Sequence, residues 1–277
     1  MCIRDSIGSA KPSPEELARS PHALIDIRDP WQTYSASDFC NDAVNEVQSA
    51  RRLGQVPVLV GGTMMYFRSL LDGLAEMPAA NPQVRQQIAD QASRDGWQGV
   101  HAELAKIDPA AAERIHPNDP QRIQRAMEVY LLTGETISER QKQSVARLTG
   151  NLIKIGLCPE DRAQLHETIN RRFDTMLERG LIDEVASLQA CSKVHRELPS
   201  QRSVGYRQVW DYICGDLSEE LLPEKGKAAT RQLAKRQLTW MRSMDDLVMY
   251  DPQQKTAADI ALDIAKQLLA HKGNHAW

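Results

Sequence analysis

The spacing of hydrophobic positions changes along the chain, and each change marks an element. Asp38 to Leu53 carries its apolar residues at helical intervals, which predicts an amphipathic helix. Val56-Pro57-Val58-Leu59-Val60 is instead a continuous β-branched run, the pattern of a central strand in a parallel sheet whose two faces are both covered. Gly61-Gly62 stops that run, and Thr63 to Leu71 resumes the helical rhythm. Helix, strand, glycine turn and helix in this order form one βα unit of a doubly wound sheet. Leu152 to Leu157, closed by Cys158-Pro159, predicts another strand. Leu247 to Tyr250 predicts a last one, followed by an amphipathic helix over Ala257 to Leu269 and a disordered, His-containing terminus.

Between the second and third apolar signals, residues 78–149 are polar and helix-rich with no comparable strand. They read as an inserted helical subdomain in an α/β core made of residues 1–77 and 150–277. Inside the insert, His116-Pro117-Asn118-Asp119-Pro120 is a dense turn signal before a helix. Asn118 or Asp119 is placed to cap it, and Pro120 suits its first turn. Arg122 and Arg125 follow beside an apolar stripe of Ile123, Met127 and Tyr130. Cations oppose the macrodipole at a helix start. These two therefore either serve a ligand or pair with acids such as Asp119 or Glu128, and the spacing leaves both open. His116 has no companion at metal-ligand spacing and reads as a turn-packing histidine. The region from Pro159 to Ala190, with Arg162, Arg171 and Arg172 around Phe173, Met176 and Leu177, reads as scaffold.

Charge alters this picture. The chain has a formal net charge of −3, yet Lys225 to Arg242 contains Lys225, Lys227, Arg231, Lys235, Arg236 and Arg242 with no acid among them. A one-signed run in an acidic protein suggests a surface reserved for phosphates, above all those of a nucleic acid. At about 100° per residue, Arg231, Lys235 and Arg242 fall within about 40° of one another on a helix, while Leu233 and Trp240 point toward a core. An ordinary solvated helix is the plainer alternative. The Gly-Gly-Thr turn lies at a strand's carboxyl end, where α/β proteins bind ligands, and Thr63 there either caps the next helix or offers its hydroxyl to an anion.

The hydrophobic fraction of 42% suffices for a real core. No apolar run reaches the length of a membrane span and no signal peptide is evident, so a soluble, cytoplasmic monomer is expected. Cys2, Cys40, Cys158, Cys191 and Cys214 are scattered, the pattern of reduced thiols.

Together these segments resemble one family, the tRNA dimethylallyltransferases, which are isopentenyltransferases acting on an adenosine next to the anticodon. The resemblance runs through Ile7-Gly8-Ser9-Ala10-Lys11-Pro12, His22-Ala23-Leu24-Ile25-Asp26, Tyr34-Ser35-Ala36-Ser37-Asp38-Phe39 and Val60-Gly61-Gly62-Thr63-Met64-Met65-Tyr66. It continues with His116 to Arg122, Val204-Gly205-Tyr206-Arg207-Gln208 and Lys235-Arg236-Gln237-Leu238-Thr239-Trp240. It implies an α/β fold with a P-loop NTPase-like parallel sheet core and a helical insertion that grips a tRNA anticodon stem-loop. The implied reaction moves a dimethylallyl group from dimethylallyl diphosphate to N6 of adenosine 37, with Mg2+ on the diphosphate. By position, Thr63 is the implied catalytic residue. The implied tRNA contacts are Arg85 and Gln121, Arg122, Ile123, Gln124 and Arg125 in the insertion. In the core they are Arg202, Ser203, Val204, Gly205, Tyr206 and Arg207, then Lys235, Arg236, Gln237, Leu238, Thr239, Trp240, Met241 and Arg242.

The chain departs from the family pattern in two places. Family members begin with a strand, a Gly-x-Thr-x-x-Gly-Lys-Ser/Thr loop and an Asp-Ser segment holding the expected base. This chain starts after them, and Asp5-Ser6 is spaced too closely to Ile7-Gly8 to replace the last. Thr168 stands where the family commonly carries Arg after the pair matched by Leu165-His166. Impaired catalysis and lower stability are therefore expected, with the first strand and P-loop missing. A non-catalytic tRNA-binding remnant and a nucleotide kinase or NTPase fragment are the alternatives.

Overall fold

The computed structural model describes residues 7–272 apart from Ala10, Ser144, Thr149 and Asn151, with side chains up to residue 269. The expected C-terminal disorder and the Asp5-Ser6 pair lie outside the described residues. The helices α1 to α7 are Pro14–Arg19, Ala36–Arg52, Met64–Leu71, Pro82–Ile107, Pro109–Arg114, Pro120–Thr133 and Ile137–Lys142. Strand β1, Lys154–Leu157, precedes α8 (Arg162–Glu178), α9 (Leu181–Gln189), α10 (Tyr206–Ile213) and α11 (Leu221–Arg242). Strand β2, Leu247–Tyr250, and α12, Ala257–Lys272, complete a mostly helical α/β fold. The two strands pair in parallel, Lys154 opposite Leu247 and Leu157 opposite Tyr250, and α8 to α11 form the crossover that parallel pairing requires.

The chain divides into two compact units. One runs to Tyr66 and resumes after Leu148; the other is Phe67–Leu148. The division thus falls inside α3, where the sequence placed it near residue 78. The reason is local: Arg147 N–H bonds Leu70 O, Leu70 is buried, and Gly73 lies so close to the Val145 backbone that no Cβ fits there.

In the first unit, the core gathers Phe173, Leu181, Val185, Tyr206, Val209 and Leu222 from α8 to α11. Glu184 ties the start of the described chain to this core. Its carboxylate accepts from Ile7 N at 2.8 Å, Gly8 N at 3.1 Å and Tyr206 Oη at 2.5 Å. Helix α2 begins with a capping box, Ser35 with Asp38, and buries Cys40, Ala43 and Val47 at helical spacing. Phe39 stacks on Tyr66 at 4.6 Å, joining α2 to the first turn of α3.

In the Phe67–Leu148 unit, α4 and α6 enclose Ile88, Val100, Leu104, Ile123, Ala126 and Met127. Helix α6 is bounded as the sequence indicates. Asp119, rather than Asn118, is the N-cap, Pro120 is the first helical residue, and Gly134 ends the helix at φ 73°. His116 Nδ1 accepts from Asn118 N, which makes it a turn histidine.

One expected element is absent. Val56 to Val60 forms no strand: the only strands among the described residues, β1 and β2, pair with each other. Val56, Val58 and Val60 are exposed, Val60 to 85%. β-branched residues favour a strand only when a neighbouring ladder and a covering face are supplied. Exposed apolar side chains in close succession promote association. Val58→Lys with Val60→Lys should lower self-association in sedimentation measurements without moving the thermal unfolding midpoint. Undiminished association would locate the sticky surface elsewhere.

Candidate nucleic-acid interface

Helix α11 divides into two halves with different duties. Over its first half it packs on α8: Gly226 faces the Phe173 ring with no room for a Cβ, and Thr230 Oγ1 returns to Gly226 O. Lys227 pairs with Asp174 at 2.6 Å, and Arg231 donates to Asn170 Oδ1 at 2.8 Å. Arg231 therefore does not belong to the free basic face that its angular position suggested. A helical wheel assigns azimuth, but α8 covers that azimuth along the first half of α11.

Beyond Arg231 the helix is open. Lys235, Arg236, Thr239 and Arg242 are exposed, and the three cationic side chains enter no ion pair among the described residues. An open depression of about 460 Å³ runs along this stretch, lined by Gln232, Lys235, Arg236, Thr239 and Trp240. Trp240 is thus half-buried at the basic surface instead of pointing into a core. Leu238 and Met241 are half-buried and support the helix.

Gln237 supplies the link to the glycine turn. Its Nε2 donates to Gly62 O at 2.8 Å, and a Cβ on Gly62 would collide with that amide. The clash is with the far end of a flexible side chain, so a larger residue at Gly62 would displace the Gln237 amide rather than the backbone. Thr63 follows at once, exposed, with its carbonyl closing the first turn of α3 through Tyr66 N at 2.9 Å. Its hydroxyl bonds nothing among the described residues, so the capping role that the sequence left open is not used.

The Gly205-centred motif has an equally local explanation. Gly205 adopts φ 95°, a region that favours glycine, and its N–H donates to Gln208 Oε1 at 2.9 Å, which fixes the start of α10. Tyr206 is buried in the core, and Gly205 is buried too; both act structurally here, although the resemblance places them among tRNA contacts. Val204 is half-buried, whereas Arg202, Ser203 and Arg207 face solvent. The motif therefore spends its glycine, tyrosine and glutamine on holding Arg207 outward at a helix start. Thr168 on α8 is exposed, as are Arg171 and Arg172 near it.

Within the Phe67–Leu148 unit, the implied contacts fall into three groups. Ile123 is buried in the α4–α6 core and presents no surface to a ligand. Gln121 and Arg122 are exposed, Arg122 lying 3.4 Å from Asp119. Arg85 and Arg125 converge on Glu128, with Gln124 Nε2 alongside on Arg85 O at 3.2 Å. Glu128 is 0% exposed. It accepts from Asn81 N at 2.8 Å, Arg85 Nε at 2.9 Å, Arg85 Nη2 at 3.1 Å and Arg125 Nη1 at 2.7 Å. Burial alone would raise the Glu128 pKa; the bonds from Arg85, Arg125 and Asn81 N outweigh it and hold the carboxyl below its ordinary range. The ion-pair reading of Arg125 is the one realised in this structure.

The sequence pointed to Glu128 only as one acid within reach of Arg125, and to Gln232 and Glu184 not at all. That Glu128 is fully buried could have been suspected from its place among the apolar positions of α6, three residues after Arg125. For Gln232 the signal was its position one helical step before Lys235 and Arg236. No group of three or more His, Cys, Asp or Glu able to hold a metal occurs among the described residues. No described helix is long and apolar enough to cross a membrane.

The IPP transferase family pattern matches residues 5–244, most of the chain. The chain belongs to the IPP transferase family. Its fold agrees with solved members: the full-length tRNA isopentenylpyrophosphate transferase of Bacillus halodurans is 33% identical with a TM-score of 0.67, over 97% of this chain and 84% of that one. The tRNA delta(2)-isopentenylpyrophosphate transferase of Staphylococcus epidermidis is 30% identical with a TM-score of 0.66, over 97% and 88%. A eukaryotic dimethylallyltransferase acting on tRNA superposes with a TM-score of 0.78 at 25% identity, over 97% and 72%.

For this family member, the depressed Glu128 pKa has a definite sign in stability. A carboxyl lowered in the folded state stabilises fully above its unfolded value, near 4.5, and loses that contribution as pH falls through the lower folded value. Urea unfolding between about pH 6 and 2 should therefore show wild type losing stability faster than Glu128→Gln below about pH 4.5. Parallel curves would remove Glu128 from the acid response.

Proposed function

We propose that this chain transfers a dimethylallyl group from dimethylallyl diphosphate to N6 of adenosine 37 in a tRNA anticodon stem-loop. The single observation that carries the reading is the Gln237–Gly62 bond, which sets the glycine turn and Thr63 against the half of α11 whose cations are unpaired among the described residues. Membership of the IPP transferase family and the likeness to transferases acting on tRNA support it. A P-loop NTPase-like core belongs to the same reading, supported by the apolar Val56 to Val60 run ending at a glycine turn before a helix and by the parallel β1–β2 pair.

The chemistry suits such a surface. An allylic diphosphate ionises when its leaving oxygens are neutralised; the C1–O bond breaks, N6 bonds to C1, and N6 gives up a proton. Arg207, Lys235, Arg236 and Arg242 are exposed cations able to hold phosphates of either the RNA or the diphosphate. Thr63, with its hydroxyl uncommitted, is placed to hydrogen-bond a reacting group at the turn. Adenine must leave its stack before N6 can be attacked, and Trp240 beside the cations offers a half-buried ring at the interface.

Two substitutions test this reading. Lys235→Ala with Arg242→Ala should weaken stem-loop binding in gel-shift titrations and reduce the salt slope by about 1 for each phosphate no longer neutralised. Thr63→Ala should reduce turnover with dimethylallyl diphosphate far more than RNA affinity. Unaltered RNA binding in the first variant would overturn the interface. Retained binding by a chain that never turns over would favour a tRNA-binding role instead.

A further inference from the structure

Two arginines share one carboxylate between α6 and the start of α4. Glu128 meets Arg85 from α4 and Arg125 from its own helix, so the buried cluster carries one positive charge in excess. Four donors fill the acceptor positions of the carboxylate. Its saturation prevents either guanidinium from turning more of its donors inward. Arg85 gives two N–H groups to Glu128, while Arg125 gives one to Glu128 and one to Pro78 O at 2.8 Å. Each guanidinium has five N–H donors, so three on each make no hydrogen bond among the described residues. The side chains are 44% and 30% exposed, which leaves those donors within reach of solvent. Two cations locked side by side around one anion are mutually repulsive, and a second anion arriving from solvent relieves that repulsion.

We infer that Glu128 is a positioning residue that pre-sets Arg85 and Arg125 as a fork for an RNA phosphodiester, with exposed Gln121 and Arg122 flanking it on α6. This rests on the tRNA-binding reading above and deepens it. The ion pair and the RNA contact, which the sequence posed as alternatives, become parts of one device: a buried carboxylate fixes the orientation that a flexible surface arginine would otherwise lose entropy to adopt.

The test measures anticodon stem-loop affinity over a salt series, alongside thermal unfolding, for the full chain. Arg85→Lys keeps the charge but loses the planar fork, and it should lower affinity about ten-fold while preserving the salt slope. Glu128→Gln should lower affinity comparably in the wild-type background and not at all in an Arg85→Gln/Arg125→Gln background, since it acts only through those arginines. A Glu128→Gln loss of equal size in both backgrounds, or melting-point losses without any affinity loss, would overturn the proposal and leave the cluster purely structural. Should Glu128→Gln not fold, Arg85→Lys decides alone: undiminished affinity overturns the fork. Wild type that binds through Lys235 and Arg242 but ignores these changes sinks this inference alone, whereas wild type without salt-dependent affinity sinks the tRNA reading with it.

Discussion

The close approach of α11 to α8 decides what the basic helix is free to do. Gly226 admits the Phe173 ring to the helix backbone, and at that separation Lys227 reaches Asp174 and Arg231 reaches Asn170. Those contacts consume the cations of the first half. The second half keeps Lys235, Arg236 and Arg242 for solvent and sends Gln237 to the glycine turn. A bulkier residue at Gly226 would push the helices apart, because a packed interior yields little at such a contact. The exposure of these cations therefore depends on a packing event more than two helical turns away from them.

Two sets of cations in this protein are separated by burial of their surroundings. Arg85 and Arg125 surround a fully buried carboxylate, where leaving a charge unpaired is costly and every acceptor position is filled. Lys235, Arg236, Arg242 and Arg207 sit in water, contribute little to folding and are unpaired among the described residues. A net charge of −3 conceals this, since attraction to a polyanion follows the local field rather than the total. The same separation explains the Gly205 motif, in which buried Tyr206 and the Gln208 cap hold a single exposed arginine at the helix start.

Much of the fold was legible. The helices at Ala36–Arg52 and Met64–Leu71 follow from periodicity and Pro120–Thr133 from its turn and cap signal as well, and both observed strands lie within predicted apolar runs. Val56 to Val60 was read as a central strand and is not one, because strand formation needs partners that periodicity cannot supply. Arg231 and Trp240 were misplaced for a related reason: angular position on a helix says nothing about where a neighbouring helix covers it. Ile123, Gly205 and Tyr206 carry the resemblance through packing and backbone geometry, with no exposed surface for tRNA.

By itself the sequence determined whatever acts within a turn or two of chain: the capped turn at the start of α6, the acid-free run of α11, and the family to which these motifs point. Only the tertiary structure decided which polar groups are spent on one another. Gln237 and Gly62 lie 175 positions apart, and Arg85 and Glu128 lie 43 apart. Local propensity reaches the next helical turn and no further, whereas the partner of a distant side chain is set by which elements pack together and how closely. For that reason the residue types of the interface were visible in the sequence, and their division between scaffold and surface was not.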